Sequence, residues 1–400
     1  RVGVFVGAMN GTYGSVPAHW SIANRVSYAF GFHGPSIALD TACSSSLTAI
    51  CLAVESLHNG RCDCALAGGV NLIVDPAQYV NLSSMTMIAA GDQCRAFGAG
   101  AEGFVDAEGV GVVLLKPLER AVADGDRIQG VIRGIAVNHG GHTHGYTVPN
   151  PTSQAELVAE AIRNAGVCSE RIGYIEAHGT GTALGDPIEV AGLSRAFAQT
   201  SQGGTAHCAL GSVKSNIGHA ESAAGIAGLT KVLLQMRHGT LVRSLHAEAL
   251  NPHIDFARTP FVVQRETAPW PRPQEMARGR LREAPRMAGV SSFGAGGANA
   301  HLVVSEYLGA EAPAVKLEGP ALVVLSAKTE ERLRESVRRL LSALSSGPEY
   351  DLHEVAYTLQ VGREAMAWRW AVVVADLSTL RSRLSGYLAG EVDEEVHVGG

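Results

Sequence analysis

Four side chains of this 400-residue chain have the types and settings of a nucleophilic centre: Cys43, His178, Lys214 and His219. Cys43 stands in Asp40-Thr-Ala-Cys-Ser-Ser-Ser-Leu47, where the strand-like run Ser36 to Asp40 gives way to apolar residues at 47, 50, 51, 54 and 57 in helical spacing. A cysteine at such a junction faces the free N–H groups of the first helical turn, and the positive end of the helix dipole favours thiolate over thiol. The expectation is a sulfur of lowered pKa, able to attack a carbonyl carbon, with backbone N–H groups beside it to receive an oxyanion. An arbitrary cysteine is more often a buried structural thiol, so its partners decide the reading. His178 lies in Glu176-Ala-His-Gly-Thr-Gly-Thr182, directly after the strand-like Ile172 to Glu176. Lys214 and His219 bound Lys214-Ser-Asn-Ile-Gly-His219, between the strand-like Ala209 to Val213 and a Gly- and Ala-rich helix from about Glu221 to His238. Open α/β sheets gather their sites at the carboxyl ends of strands, and these residues all arrive at such ends.

The elements that must position them alternate along the chain. Further strand-like runs occur at Arg1 to Gly7, Cys64 to Leu66, Val110 to Leu115 and Ile128 to Val137. Strands alternating with helices imply a mainly parallel sheet covered on both faces. Lys116 to Arg127 is polar and turn-rich, a seam between halves. A capping box, Ser153-x-x-Glu156, opens a helix closed by Gly166. Ala268 to Arg286 is rich in Pro and Arg and reads as a long surface loop, after which Val290 to Val304 returns to core. From Tyr307 a separate small α/β unit is expected, with strand Ala321 to Leu325, helix Glu330 to Leu344, a helix near Leu352, strand Trp370 to Val374 and a last helix near Ser378. The division is therefore 1–120, 121–306 and 307–400, and a chain opening inside a strand is expected to lack its N-terminal portion.

A net charge of -6 gives no general pull toward nucleic acid or an anionic membrane. No run approaches ~18 continuous apolar residues, and no leader with a cleavage site is present, so a membrane span and export are not expected. Seven cysteines without framework spacing fit a reducing cytoplasm better than a disulfide scaffold. The 47 glycines imply many tight turns and close backbone approaches, as in an enzyme whose loops crowd a site.

DTACSSSL around Cys43 resembles the nucleophile motif of ketosynthases of the thiolase superfamily, and EAHGTGT and KSNIGH resemble the family's two histidine motifs in the right order. The resemblance extends over residues 1 to about 306 and implies a thiolase-like fold, two similar α/β halves each with a mixed five-stranded sheet between helices, plus a small C-terminal linker subdomain. It implies a catalytic set of Cys43, His178 and His219, with Lys214, Asp186 and Glu189 as a supporting charge network. Thr180 and Thr182 fall where family members hydrogen-bond a phosphopantetheine arm. Ser291-Ser-Phe-Gly-Ala-Gly-Gly-Ala-Asn-Ala-His301 resembles the family's glycine-rich loop, placing the amide of Ala295 with that of Cys43 in the oxyanion hole.

The implied reaction is a decarboxylative Claisen condensation in a bacterial modular polyketide synthase. An acyl chain on Cys43 is attacked by the enolate of a malonyl-type extender, and two imidazole N–H donors stabilise that enolate better than one. No cofactor is bound directly; substrates ride on the phosphopantetheine arm of acyl carrier protein. The implied partners are that carrier, a second copy in a homodimer, and neighbouring synthase domains. LQVGREAM at 359–366 and GYTVPNP at 145–151 resemble systems whose acyltransferase is a separate protein. The competing reading is a non-elongating relay or dimer platform; a degradative thiolase is disfavoured because HGTGT and KSNIGH are motifs of decarboxylating condensers.

Other signals carry less. Gly98-Ala-Gly-Ala-Glu-Gly103 matches a dinucleotide-binding spacing but leads toward a strand rather than a helix, so its own context test fails. His139, His142 and His144 invite a zinc site, yet no helix or hairpin frames them and no metal is expected. Cys62 and Cys64 read as buried thiols, and the Arg272 to Arg286 cluster as a solvated loop rather than a dock for an acidic carrier.

Overall fold

Alternation of small and β-branched residues makes Val2–Ala8 (β1) a strand buried on both sides. It is followed by His19–Phe30 (α1), Ser36–Leu39 (β2), Ser45–His58 (α2), Cys64–Asn71 (β3), Ala77–Ser84 (α3) and Gly109–Leu115 (β4). The sheet order is β2-β1-β3-β4, with β1 parallel to β2 and β3, and β4 antiparallel to β3. The computed structural model describes residues 1–9, 18–204, 207–277, 280–309, 317–347 and 350–399. The expected seam holds a short helix, Leu118–Ala123 (α4), flanked by Lys116 paired with Asp124 and Asp126.

The following half contains Val131–His139 (β5), Pro151–Asn164 (α5), Tyr174–Glu176 (β6), Gly185–Thr200 (α6), Cys208–Gly211 (β7), Lys214–Ile217 (α7), Ala224–His238 (α8), Thr240–Leu241 (β8), Phe261–Val263 (β9), Ala268–Pro269 (β10), Gln274–Ala277 (β11), Arg280–Glu283 (β12), Met287–Phe293 (β13) and Ala298–Ser305 (β14). Its main sheet runs β5-β14-β13-β6-β7-β9. The described sheets thus have four and six strands where five and five were expected.

Helices α2 and α8 form a shared middle layer. The first packs on β1 and β3 and also reaches β14, while the second touches β3, β4 and β13. Gly225 on α8 permits this contact, because a Cβ there would lie 2.5 Å from Leu47 Cγ on α2. Outer layers are supplied by α1 on the first sheet and by α5, with α6 against it, on the second.

Two local expectations change. Helix α5 starts at Pro151, not at Ser153, because the Asn150 side chain caps the N–H groups of Thr152 and Ser153 and proline is preorganised for the first turn. The presumed loop at 268–286 contains an antiparallel hairpin, β11 with β12, in which Met276 faces Leu281. Two of its arginines are engaged internally, Arg286 with Glu306 at 2.9 Å and Arg272 with Glu306 at 2.8 Å.

The chain divides into two compact units, Arg1–Gly309 and Ala310–Gly400. The second holds Ala321–Ala327 (β15), Glu330–Ser346 (α9), Leu352–Val361 (α10), Trp368–Val374 (β16), Leu377–Ala389 (α11) and Val396–Gly399 (β17), with an antiparallel sheet β15-β16-β17. Its core is its own, centred on Trp370 with Leu333, Val337, Leu380 and Leu384.

Candidate active site

Cys43 sits one residue before the cap of α2, on a turn forced by Ala42, whose φ of +54° is a left-handed conformation that costs a non-glycine residue energy. Surrounding bonds impose it: Ala42 N–H donates to Asp40 Oδ1 at 2.8 Å and Ser45 Oγ donates to Ala42 O at 2.6 Å. The glycine-rich turn between β13 and β14 closes on this elbow. Ser292 Oγ donates to Cys43 O at 2.7 Å, and a Cβ on Gly294 would stand 2.4 Å from Thr41 O. As a result the amides of Ala295 and of Cys43 both hydrogen-bond the sulfur.

The expected low thiol pKa is not what this environment produces. Burial, followed by the negative charge of Glu221, pushes Cys43 up to about 11, and Lys214 with the two amides only partly opposes them. The sulfur does stand at a helix start, and burial with the Glu221 charge acts against the thiolate there.

His178 and His219 approach from the other half, and donor atoms of the two rings and the sulfur lie within 4.8 Å of one another. Their rings meet edge-on with centroids 5.5 Å apart. Phe293 N–H donates to His178 Nδ1 at 3.3 Å and Glu221 N–H donates to His219 Nδ1 at 3.0 Å. Each neutral ring therefore carries its proton on Nε2. Burial, then Lys214 and His219, holds His178 well below the usual imidazole range; burial, then Lys214, does the same for His219. His219 Nε2 has no partner among the described residues. Two N–H donors thus converge on the space beside the sulfur.

Lys214, Asp186 and Glu189 gather around the His178 loop through backbone bonds. Lys214 Nζ donates to His178 O at 2.5 Å. Glu189 accepts from the N–H groups of His178 and Gly179, and Asp186 from those of Gly181 and Phe97. Among the described residues no direct ion pair joins Lys214 to either carboxyl, and its charge acts on both through space. Burial pushes Asp186 up to about 6 and Glu189 up to about 7, and lowers Lys214.

Two buried groups escaped the reading of the sequence. Glu176 pairs with Lys231 at 2.8 Å, accepts from Tyr174 OH at 2.7 Å and takes the Val213 N–H at 2.5 Å, tying the two histidine loops together. Asp106 and Glu221, both buried, adjoin the His219 turn, Asp106 through a backbone bridge to His219 and Glu221 through its N–H, which donates to His219 Nδ1 at 3.0 Å. Only the place of Glu221, two residues after His219, signalled the latter; Asp106 is far off in sequence.

A cavity of about 600 Å³ opens over the sulfur, lined by both histidines, Phe104, Met87, Thr180 and Thr182. The threonine hydroxyls lie 3.2 Å apart. Tyr146 and Leu184 are exposed at its rim. His139 hydrogen-bonds through both nitrogens, to Gly296 O at 3.0 Å and the Gly141 N–H at 3.0 Å. Cys62 is buried and Cys64 half-buried; the seven cysteines are all free.

Two facing α/β halves with Cys-His-His at their strand ends define a thiolase-like condensing fold. The family description "Beta-ketoacyl synthase, N-terminal domain" matches residues 1–121, and "Beta-ketoacyl synthase, C-terminal domain" matches residues 129–248. The chain belongs to the beta-ketoacyl synthase family of acyltransferase enzymes. Residues 324–391 match the "RhiE-like, KS-MAT linker domain". Polyketide synthase PksM of Bacillus subtilis is 55% identical over 398 residues, covering 98% of this chain and 9% of that protein. Polyketide synthase ThaG of Burkholderia thailandensis is 52% identical over 416 residues, covering 98% of this chain and 7% of that protein. The chain thus spans less than a tenth of the length of these curated relatives. The solved oxazolomycin ketosynthase domain OzmH KS7 of Streptomyces albus superposes with a TM-score of 0.92 at 48% identity, covering all of this chain and 70% of that one. The ketosynthase from module 6 of the Bacillus subtilis bacillaene synthase does so at 0.88 and 41%, covering all of this chain and 68% of that one.

Proposed function

We propose that this chain is the condensing domain of a modular polyketide synthase that recruits a separate acyltransferase. The observation that carries the reading is the convergence of Cys43 Sγ and two imidazoles, each fixed as an Nε2–H donor. An acyl group arriving on the phosphopantetheine arm of an acyl carrier protein is taken by Cys43, its tetrahedral oxyanion held by the amides of Cys43 and Ala295. A malonyl-type thioester on a second carrier then enters, its arm guided by Thr180 and Thr182. Loss of CO2 places charge on the thioester oxygen, which His178 and His219 receive as hydrogen-bond donors without giving up a proton. The enolate carbon attacks the acyl carbon on Cys43 and releases a β-ketoacyl carrier product. Lys214, Asp186 and Glu189 hold the His178 loop in register.

The edge strand β2 and the exposed Trp20, Tyr28 and Phe30 of the adjoining α1 support assembly as a homodimer. No described helix is long and apolar enough to cross a membrane, and the seven free thiols suit a cytoplasmic location beside the neighbouring synthase domains.

The test is to load the chain with an acyl-carrier thioester, add malonyl-carrier protein and follow Cys43 by mass spectrometry. Condensation predicts an adduct at Cys43, then CO2 release and a carrier-bound β-ketoacyl product. No adduct would overturn the nucleophile; an adduct without CO2 release or extension would make the domain a relay.

A further inference from the structure

The amide of Ala295, assigned above to the oxyanion hole, belongs to a turn with little stiffness of its own. Gly294-Ala-Gly-Gly297 joins β13 to β14, and three of its four residues are glycines, which have the most backbone freedom to lose on being fixed. Two bonds close the turn from within: Gly294 N–H donates to Ala298 O at 2.7 Å and Gly297 N–H donates to Gly294 O at 2.8 Å. On the Cys43 side the turn is held by the close approach of Gly294 to Thr41 O and by the Ser292 hydroxyl on Cys43 O. None of these contacts is made by Ala295 or Gly296, the tip that sets where the donor points.

The tip is braced from β5. His139, the last residue of that strand, pairs in register with Ala298, and its Nε2 lies 3.0 Å from Gly296 O. Gly141 N–H donates to the other ring nitrogen, Nδ1, at 3.0 Å. A nitrogen that accepts from an amide carries no proton, so the imidazole is the Nε2–H tautomer and donates to the Gly296 carbonyl. The next residue adds a second strut, since Gly140 N–H donates to Gly297 O at 2.8 Å. Gly140 is itself anchored by Asn150, the cap of α5, whose Nδ2 donates to Gly140 O at 2.7 Å.

The fit around the ring is close. A Cβ on Gly297, whose φ is +91°, would stand 3.1 Å from His139 Nε2, and one on Gly296 would stand 2.9 Å from the Tyr146 hydroxyl oxygen. His139 is exposed toward the cavity that Cys43 and Ala295 line, so its ring is not placed there to fill a core. Both of its nitrogens are spent on backbone, one on the oxyanion turn and one on the loop that follows β5.

We propose that His139 is a positioning residue of the oxyanion hole, its ring holding Gly296 so that the Ala295 N–H stays aimed at the acyl oxygen on Cys43. The inference rests on the condensing function proposed above. When the sulfur attacks a thioester, the carbonyl oxygen gains charge as the carbon becomes tetrahedral, and a donor is effective only where that oxyanion will stand. A displacement of about 1 Å costs on the order of 10²-fold in rate. His139 acts through the Gly296 carbonyl and not on the acyl group; no bond to it forms or breaks, and its proton stays on Nε2. Acylation and the later attack on the acyl carbon both use the hole, whereas the charge released on decarboxylation goes to His178 and His219.

The test compares His139→Gln and His139→Leu with the unaltered chain in single-turnover acylation of Cys43 by butyryl-pantetheine, read by intact mass over a range of donor concentrations. Glutamine offers one donor and one acceptor, as the neutral ring does; leucine is apolar and of similar size. His139→Leu is expected to lower the maximal acylation rate by about 10-fold or more, with the half-saturating concentration changed by less than about twofold. His139→Gln should stay within about threefold of the unaltered chain in both quantities. An unchanged maximal rate in His139→Leu overturns the proposal. So does a rise in the half-saturating concentration alone, which makes His139 a wall of the cleft, or a glutamine variant as slow as the leucine one, which makes the ring's shape and not its hydrogen bonds the cause. Should His139→Leu fail to fold, nitrogen NMR of the histidine-labelled unaltered chain decides, with the His139 signals identified by their loss in His139→Gln: a single Nε2–H tautomer supports the brace, and an Nδ1–H tautomer or an interconverting mixture overturns it. An unaltered chain that takes no acyl group overturns the condensing function itself, and this inference with it.

Discussion

The two halves of the first unit share one strand plan and differ in what covers it. Strands β2-β1-β3-β4 and β7-β6-β13-β14 run in the same order with the same parallel, parallel, antiparallel pairing. In the second half β5 flanks β14, β9 flanks β7, and α5 lies over β5 and β14. Among the described residues β4 has no such flank, and Val110, Val112 and Leu114 stand exposed along it. The chemistry divides along the same line. The turn after β2 carries Cys43, and the equivalent turn after β7 carries Lys214 and leads to His219. One plan therefore yields a nucleophile on one side and hydrogen-bond donors on the other, with the second half the better covered scaffold.

The sharpest way to separate the halves is chemical. Cys43→Ala should abolish acyl loading outright while leaving the two imidazoles in place. His219→Ala should still load acyl groups on Cys43 but lower CO2 release from malonyl-carrier protein by about 10²–10³-fold, the scale of losing one oxyanion donor. Intact-mass analysis and CO2 trapping read the two steps separately.

Next comes stability. Leu302 on β14 is fully buried and Leu114, its analogue in setting on β4, is 65% exposed. Leu302→Ala should destabilise by about 2–5 kcal/mol, and Leu114→Ala by less than about 0.5 kcal/mol, measured by denaturant unfolding. Equal losses would show that β4 is covered in solution.

The smallest effect concerns His301 in β14, which burial pushes down to about 3 from an ordinary 6.5. Above pH 6.5 it is neutral both folded and unfolded; below that value only the unfolded chain gains the proton, so stability is lost as the pH falls toward 3. His301→Asn should remove one proton from that dependence, about 1.4 kcal/mol per pH unit below pH 6. Unfolding at pH 7 and at pH 5 checks it.

Much of this was legible in the residues. Cys43, His178 and His219 each lie beside a strand end that periodicity located, and the motif order marked them as one site. What stayed hidden depends on contacts distant in sequence or on burial. The thiol's pKa is raised by burial, which no helix-start pattern reveals. Asp106 reaches the His219 turn only because residues 105–107 run alongside it. The start of α5 was misplaced because Asn150 outcompetes Ser153 as a cap, and the β11–β12 hairpin was masked by the prolines and arginines around it.

The layer shared by α2 and α8 has a consequence for recombination between synthases. A crossover inside the first unit would join an α2 shaped by one parent to an α8 shaped by another, across a contact so close that Gly225 has no room for a side chain beside Leu47. Chimaeric synthases assembled by exchanging this domain should therefore inherit residues 1–305 whole from a single parent.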